Sequence, residues 1–150
     1  MSGIDWRFAT FEGLTPHALY GLLQLRSEVF VVEQACIFLD MDGADAQAMH
    51  LLGTKDGRLV AYARCFAAGV KFSEASIGRV AVHQSLRGTG SGHLLMQQAI
   101  AFLTAQWGPQ PIRIGAQARL EKFYRQHGFL DAGRPYIEDG IPHLEMLRVA

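Results

Sequence analysis

The sequence contains few cysteines. Only Cys36 and Cys65 occur among its 150 residues; they stand far apart and form no C-x-x-C pair. A disulfide framework or a redox motif needs more thiols or closer spacing, so the sequence argues against both. We expect two small buried side chains in a reducing compartment.

The histidines also lack the spacing of a metal site. The six histidines form no H-E-x-x-H or H-x-x-E-H pattern, and none stands beside a cysteine. Zinc ligands usually recur at such short intervals. The sequence therefore predicts no bound metal.

Neither sign of charge dominates, and long apolar runs are missing. Lys+Arg and Asp+Glu are 14 each, so the formal net charge is zero and no nucleic-acid partner is expected. No apolar run reaches the roughly 20 residues that span a bilayer. The first residues show no signal-peptide pattern. These absences predict a cytoplasmic protein without a membrane partner.

The length and composition are those of an ordinary globular domain. Hydrophobic residues make up 49% of the chain and charged residues 19%. A chain of this size can bury about 70% of its unfolded surface without disulfides or metals. No repeat, linker or low-complexity segment is apparent, so a single domain over residues 1–150 is predicted.

The stretch from Ile77 to Met96 carries the clearest local pattern. β-branched residues predict a strand at 77–82, and apolar residues at helical spacing predict a helix at about 91–107. The loop between them contains three glycines, which let the chain turn so that consecutive N–H groups face one concavity. The helix adds its own unpaired N–H groups, and Arg87 adds a positive charge. The loop therefore predicts a phosphate or pyrophosphate site.

Two other phosphate-binding loops do not fit this stretch. Counted from Gly88, the G-x-G-x-x-G fingerprint would need glycine where His93 stands. A P-loop would need a lysine directly after its last glycine, and none is present. What remains is R-x-x-G-x-G, from Arg87 to Gly92, after a strand and before an amphipathic helix.

The remaining elements predict a mixed sheet with helices on its faces. Thr15 and Pro16 indicate the start of the first helix. A further helix is predicted at 120–127, ended by Gly128. Besides 76–83, strands are predicted at 4–8, 49–54, 59–66, 112–115, 129–132 and 144–149.

The R-x-x-G-x-G loop resembles the acetyl-CoA pyrophosphate loop of the GNAT N-acetyltransferase superfamily. The F-Y-x-x-x-G-F motif from Phe123 to Phe129 resembles the same superfamily. Further blocks, spread over about residues 20–148, look like its ElaA-like branch. They are Arg26-x-x-Val29-Phe30, Glu33-Gln34, Asp40-x-Asp42-Gly43, Ala61-Tyr62-Ala63-Arg64, Gly115-Ala116-Gln117-Ala118 and Glu138-Asp139-Gly140-Ile141-Pro142-His143.

This resemblance implies a fold. The GNAT fold is an α/β (α+β) arrangement with a mixed, mostly antiparallel twisted sheet of six or seven strands and about four helices. Its fourth and fifth strands, here 77–82 and 112–115, splay apart and admit the cofactor. By analogy with the family, a homodimer is expected.

The resemblance also implies an activity. The expected protein is an acetyl-CoA-dependent N-acetyltransferase, an acyltransferase that moves an acetyl group to a primary amine of a small molecule or peptide. Transfer would be direct, in a ternary complex, with acetyl-CoA as co-substrate and no metal. The alternative is a non-catalytic acyl-CoA-binding or regulatory module of the same fold. The presence of Tyr124 favours the enzyme.

Cofactor contacts follow from the same resemblance. The pantetheine arm would pair with the fourth strand like an added strand. A backbone N–H at the end of that strand, that of Val82, could bind the carbonyl oxygen. The implied cofactor-binding residues are Val80, Ala81, Val82, Arg87, Gly88, Thr89, Gly90, Ser91, Gly92, Gln117 and Tyr124.

Amide formation from a thioester needs an acid and a base, because the amine loses a proton and the departing thiolate gains one. Tyr124 matches the family tyrosine that protonates the thiolate. The base stays open between Glu33 and His83, which both belong to the predicted catalytic set. Residues expected to bind the acceptor are Glu33, Glu138 and His143.

Several carboxylates fall in loops expected on the acceptor side. If they converge, their field would favour a cationic amine such as a polyamine, an amino sugar or a lysine side chain. These residues are Glu33, Asp40, Asp42, Asp45, Glu138 and Asp139.

Overall fold

The computed structural model describes residues 3–150, and in that range it contains seven strands and three α-helices. The strands are β1 (Asp5–Thr10), β2 (Met49–Lys55), β3 (Arg58–Phe66), β4 (Ser76–Val82), β5 (Ile112–Gln117), β6 (Leu130–Glu138) and β7 (Ile141–Arg148). The helices are α1 (Pro16–Arg26), α2 (Ser91–Trp107) and α3 (Glu121–Arg125). A π-helical segment, Ser27–Glu33, continues α1, and short 3₁₀ turns lie at Asp45–Gln47, Gln84–Leu86 and Ala118–Leu120.

The strands form two antiparallel sheets that touch at one end. The first has the order β1-β2-β3-β4 and the second the order β5-β7-β6. They meet where Ala75 bridges Ile112 and where the Arg113 N–H donates to the Ala75 carbonyl at 2.8 Å. Beyond this contact β4 and β5 do not pair with each other, and the two strands separate. The predicted splay between strands four and five is confirmed.

A charged cluster closes the joined end. Arg113 of β5 contacts both carboxylate oxygens of Glu74 at 3.0 and 3.1 Å and donates to Glu145 of β7 at 3.0 Å. The hydrogen bonds from Arg113 lower the pKa of Glu74 to about 2. One guanidinium therefore ties the start of β4 to two strands of the other sheet.

Some predicted boundaries differ from the structure. The strands expected at 129–132 and 144–149 are longer and form a hairpin, turned at Asp139 and Gly140, which both have positive φ. Most of β6 is exposed and shows no apolar alternation, so its full length was not readable from the sequence. The number of α-helices is three, compared with about four expected, since the chain after α1 is π-helical.

The helices cover both faces of the sheets. α2 and α3 pack on one face, where the main core includes Leu51, Ile77, Leu95, Ile114 and Met146. On the other face, α1 packs on a smaller core of Leu22, Leu25, Leu52, Tyr62 and Ala81. The predicted start of α1 is confirmed, because the Thr15 hydroxyl accepts from the Ala18 N–H at 3.1 Å and Pro16 follows.

A buried charge network attaches the loop after the π-helical segment to the first sheet. The fully buried Arg26 donates to Asp40 at 2.8 Å and to Asp45 at 2.7 Å. Arg64 of β3 donates to both oxygens of Asp42, at 2.9 and 2.8 Å, and to Asp45 at 3.0 Å. Asp45 thus bridges two buried guanidinium groups. An isolated charge here would be costly, whereas the paired groups compensate one another.

We expect Asp45→Asn to lower the free energy of unfolding by about 3 kcal/mol, because two buried arginines lose a shared counter-charge. Urea denaturation at pH 7 measures this. Asp56→Asn, in the exposed β2–β3 turn, is the control and should change stability little. Equal stability of the two variants would contradict the role of the network.

The same network predicts a pH dependence. Hydrogen bonds from Arg64 hold the pKa of Asp42 well below its usual range. Burial acts to raise the pKa of Asp45, but Arg26 and Arg64 lower it overall. A carboxylate with a lowered folded-state pKa stabilises the fold above its unfolded pKa of about 4, and this contribution is lost as the pH falls towards the folded value. Asp45→Asn should therefore lose less stability on acidification than the wild type.

Candidate active site

A groove of about 1070 Å³ lies where β4 and β5 part. One wall comes from the π-helical segment and β4, and the other from β5, α3 and the β6–β7 hairpin. Of the predicted site residues, those lining the groove are Glu33, Val80, Val82, Arg87, Gly92, Gln117, Tyr124, Glu138 and His143.

The glycine loop presents a row of unused backbone donors at the edge of the groove. Gly88 and Gly90 have φ of 77° and 84°, values that favour glycine. By distance and angle, no N–H from Gly88 to His93 in the described chain makes a well-aligned backbone hydrogen bond, although residues 87–90 adopt a turn conformation. These six consecutive N–H groups lie at the positive end of the 17-residue α2. Such an arrangement suits a phosphate or pyrophosphate.

Side chains keep this loop in shape. The Thr89 hydroxyl donates to the Leu86 carbonyl and lies 2.8 Å from the Ser91 hydroxyl. A Cβ on Gly92 would lie 3.4 Å from the Phe123 ring, in ordinary contact. The Thr89 and Ser91 side chains thus stabilise the conformation of the loop, and neither lines the groove.

Arg87 joins three parts of the site. Its Nη2 donates to the Val82 carbonyl at 3.1 Å and pairs with a carboxylate oxygen of Glu33. The predicted base Glu33 is therefore neutralised by the predicted phosphate-binding arginine. An anion bound at the loop would compete with Glu33 for that guanidinium.

The free edge of β4 offers backbone groups to the groove. Ala61 and Val82 are directly opposed, and the His83 N–H donates to the Val60 carbonyl at 2.8 Å. In an antiparallel ladder this makes Ala61–Val82 a non-hydrogen-bonded pair, so the Val82 N–H points away from β3, into the gap. A β-bulge precedes it at Arg79, which has a φ of 49°. Ala81 instead buries its side chain against α1.

Tyr124 lies on α3 with its ring in the main core and its hydroxyl at the groove. The ring meets Phe123 and Phe129 edge-on, with centroids 5.1 and 6.1 Å away. Burial raises the pKa of Tyr124 to about 12. In the described part of the chain the hydroxyl has no hydrogen-bond partner. The residue is therefore a protonated phenol with a free donor.

A second group of polar side chains lies on the opposite face of the β5-β7-β6 sheet. His143 is directly opposed to Gln117 on β5 and to Tyr136 on β6, so all three share one face. The Tyr136 and His143 rings stack at 5.3 Å. The sequence analysis did not identify Tyr136. Its two-residue spacing from Glu138 would have placed both on one face of a strand, but no strand was predicted at these positions.

Gly115 leaves room for Tyr136. A Cβ at position 115 would lie 2.2 Å from the Tyr136 hydroxyl oxygen. The hydroxyl therefore occupies the space of an absent side chain at the splayed edge of β5. Burial raises the pKa of Tyr136, and the carboxylates of Glu138 and Glu145 act in the same direction.

His83 lies outside the groove lining. Its Nδ1 accepts from the Ser85 N–H at 3.1 Å and so caps the Gln84–Leu86 turn. Its Nε2 lies 3.4 Å from Arg58 Nη2 and 3.9 Å from a Glu28 oxygen. The structure thus brings Glu33 to the groove but gives His83 a capping contact.

The predicted convergence of acidic loops on the acceptor is wrong for Asp40, Asp42 and Asp45. All three pair with arginines of the buried network, including Arg79, whose Nε lies 2.9 Å from Asp40 Oδ1. Acidic residues lining the groove are Glu33, Glu138, Asp139 and Glu145, and basic residues lining it are Arg64, Lys71, Arg79, Arg87, Arg119 and Arg134.

The two thiols are free, and their positions differ. Cys65 is fully buried, and burial raises its pKa to about 12. Cys36 is half-buried, lines the groove and donates to the Asp139 carbonyl at 3.3 Å. Within residues 3–150 no cluster of His, Cys, Asp and Glu could hold a metal ion. No helix in that range is long and apolar enough to cross a membrane.

Comparisons with known proteins identify similar chains and a matching family. Residues 25–149 match the family model described as "Acetyltransferase (GNAT) domain". Protein ElaA of Escherichia coli (strain K12) is 43% identical over 147 residues, which cover 97% of this chain and 96% of that protein.

Two crystal structures are similar along nearly the whole chain. An acyl-CoA N-acyltransferase from Pseudomonas aeruginosa superposes with a TM-score of 0.92 at 40% identity. Escherichia coli ElaA superposes with a TM-score of 0.90 at 42% identity. Each match covers 97% of this chain and 99% of the other.

We expect Gly115→Ala to destabilise the protein by about 1–3 kcal/mol, because the new methyl group collides with the Tyr136 hydroxyl. Adding Tyr136→Phe should restore most of this loss, since the next ring atom, Cζ, lies 3.6 Å from the new Cβ. Urea denaturation of both variants measures the coupling.

Gly78→Ala is the control for that experiment, because a Cβ there meets no atom within 4 Å. It should change stability little. A double variant as unstable as Gly115→Ala alone would contradict the contact.

Proposed function

The chain belongs to the GNAT acetyltransferase family, in its ElaA-like branch, and on this premise we propose that it transfers an acetyl group from acetyl-CoA to a primary amine. The resemblance predicted from the sequence is thereby confirmed. The family and its structural relatives support an acyl-CoA-dependent acyltransferase. The acetyl donor and a small-molecule or peptide amine as the acceptor are our proposal.

The observation that carries the proposal is the row of six unused N–H groups from Gly88 to His93. A diphosphate has enough oxygen acceptors to engage several of these donors at once, and the α2 dipole favours its negative charge. The Arg87 side chain can turn from the Glu33 carboxylate to the diphosphate, because Arg87 and Glu33 are both exposed at the edge of the groove. The residues present therefore fit CoA.

The free edge of β4 supports the second step. The thioester arm can lie along Val80–Val82 as an added strand, because this edge has no partner beyond the Ala75 bridge among the described residues. The Val82 N–H then donates to the thioester oxygen and stabilises the negative charge that develops there. This donor is fixed by the ladder to β3, so it needs no reorganisation.

Tyr124 supports the last step, protonation of the departing sulfur. Because a thiol has an ordinary pKa of about 8.5, full proton transfer from a phenol with a pKa of about 12 is uphill, and the hydrogen bond from the phenol to the sulfur stabilises the charge that develops there. The phenol can donate to the sulfur as the C–S bond breaks. A protein that only bound acyl-CoA would not need such a donor.

The CoA site can be tested with Gly90→Ala. Alanine is strained at a φ of 84°, which should reorient the loop N–H groups and weaken CoA binding about tenfold in titration calorimetry. Gly57→Ala, at a φ of 76° in the β2–β3 turn, carries similar strain away from the loop and should bind CoA normally. Equal affinities for the two variants, or no heat with the wild type, would contradict the site.

We expect Tyr124→Phe to lower kcat roughly tenfold or more, with little change in the KM for acetyl-CoA. Release of free CoA in the presence of a panel of amines gives the rate. Tyr20→Phe is the control, because that tyrosine is 75% exposed on α1. If kcat is unchanged while solvent viscosity has no effect on the rate, Tyr124 is not the acid.

A further inference from the structure

We propose that His143 is the general base of the transfer and removes a proton from an amine held against Gln117. This inference rests on the proposed function and names the side chains that receive the acceptor. Three observations support it: the tautomer of His143, the polar row that it shares, and its position relative to Tyr124.

The hydrogen bonds of His143 determine its tautomer. Its Nδ1 lies 2.7 Å from the Ile141 carbonyl oxygen, which can only accept, so Nδ1 carries the proton. In the neutral ring Nε2 therefore keeps its lone pair. No described residue donates to Nε2, although the side chain is only 9% exposed and lines the groove. A buried, oriented lone pair at the reaction site is what a general base requires.

The neighbours of His143 define a place for the amine. Gln117 donates its Nε2 to the Gln34 Oε1 at 3.2 Å, and this leaves its own Oε1 buried without a partner. A buried acceptor of this kind is costly unless a ligand donates to it. A neutral primary amine has two N–H groups. One can donate to Gln117 Oε1 and the other to His143 Nε2, which are adjacent across the β5–β7 pair.

The acid and the base lie on opposite faces of β5. Ile114 and Ala116 point into the main core, where Tyr124 lies, so Gly115 and Gln117 point to the other face. Beyond the Ala75 bridge, β5 has no strand partner on the side of β4 in the described chain, so both of its faces can be reached from that edge. The thioester can therefore receive the amine from the side of His143 while its sulfur lies on the side of Tyr124.

Each bond and each proton of the transfer can be accounted for. The amine nitrogen bonds to the thioester carbon as His143 Nε2 takes its proton, and the C–S bond breaks as the Tyr124 hydroxyl protonates the sulfur. The products are the amide and free CoA thiol. A proton passes through solvent from the His143 imidazolium to the Tyr124 phenolate and restores both groups. A Glu138 oxygen lies 3.9 Å from Nε2.

The charged and titratable groups around His143 are few. Tyr136 stacks on its ring, Glu138 lies near Nε2, and Glu145 stands two residues further along the same face of β7. From β5 the neighbour is the uncharged Gln117. The imidazole is therefore the ionisable group next to the proposed position of the amine, and the Glu138 carboxylate is the nearest other one.

The test uses His143→Gln, an uncharged amide that cannot accept the proton. We expect kcat to fall about 100-fold or more, and the acid limb of the pH–rate profile to disappear. Binding of CoA in calorimetry should be unchanged, and imidazole in the buffer should restore part of the rate to His143→Ala. His17→Gln, on the exposed start of α1, is the control and should keep the wild-type profile.

A wild-type profile and kcat in His143→Gln would overturn this inference and leave the proposed function intact. A wild type that binds no CoA and acetylates no amine would overturn the proposed function itself. If His143→Gln does not fold, Gln117→Leu is the second test. It should raise the KM for the amine about tenfold and keep the acid limb, and an unchanged KM would overturn the placement of the amine.

Discussion

The site depends on two sheets that are joined at one end and free at the other. The Ala75–Ile112 bridge and the contacts of Arg113 with Glu74 and Glu145 close one end. Because β4 and β5 cannot separate there and do not pair beyond it, their backbone groups remain available along the groove. Edge strands ordinarily invite aggregation. Here the unused edges face each other across a gap that a substrate can fill.

The buried arginines and aspartates have a different role. They attach the loop that follows the π-helical segment to β3 and β4, and this loop forms one side of the groove. Paired charges of this kind add little net stability compared with apolar packing, but they are costly to break. The network therefore determines where the loop lies. It also removes three carboxylates from the field that an acceptor would experience.

The polar chemistry is divided between the two faces of the β5-β7-β6 sheet. Tyr124 belongs to the core face with α2 and α3, whereas His143, Gln117 and Tyr136 belong to the other. Strand alternation turns Gln117, His143 and Tyr136 away from the core, and the packing of α3 places Tyr124 on the core face. β5 thus lies between the Tyr124 phenol and the His143 imidazole, and both side chains line the same groove.

The local features were readable from the order of the residues. Strand, glycine loop and helix followed from residue spacing between Ile77 and Met96, and the motif resemblance extended this to the fold with its splayed strands. These features depend on neighbours in the chain. Which side chains meet depends on how elements that are distant in the sequence pack together. Asp45 was predicted to lie on the acceptor side, but it bridges Arg26 and Arg64 instead. Each of these ion pairs joins residues 19 positions apart, so no local pattern in the sequence indicates it. Tyr136 and His143 acquired a shared face only when β6 paired with β7, a register that no local pattern in the exposed β6 encodes.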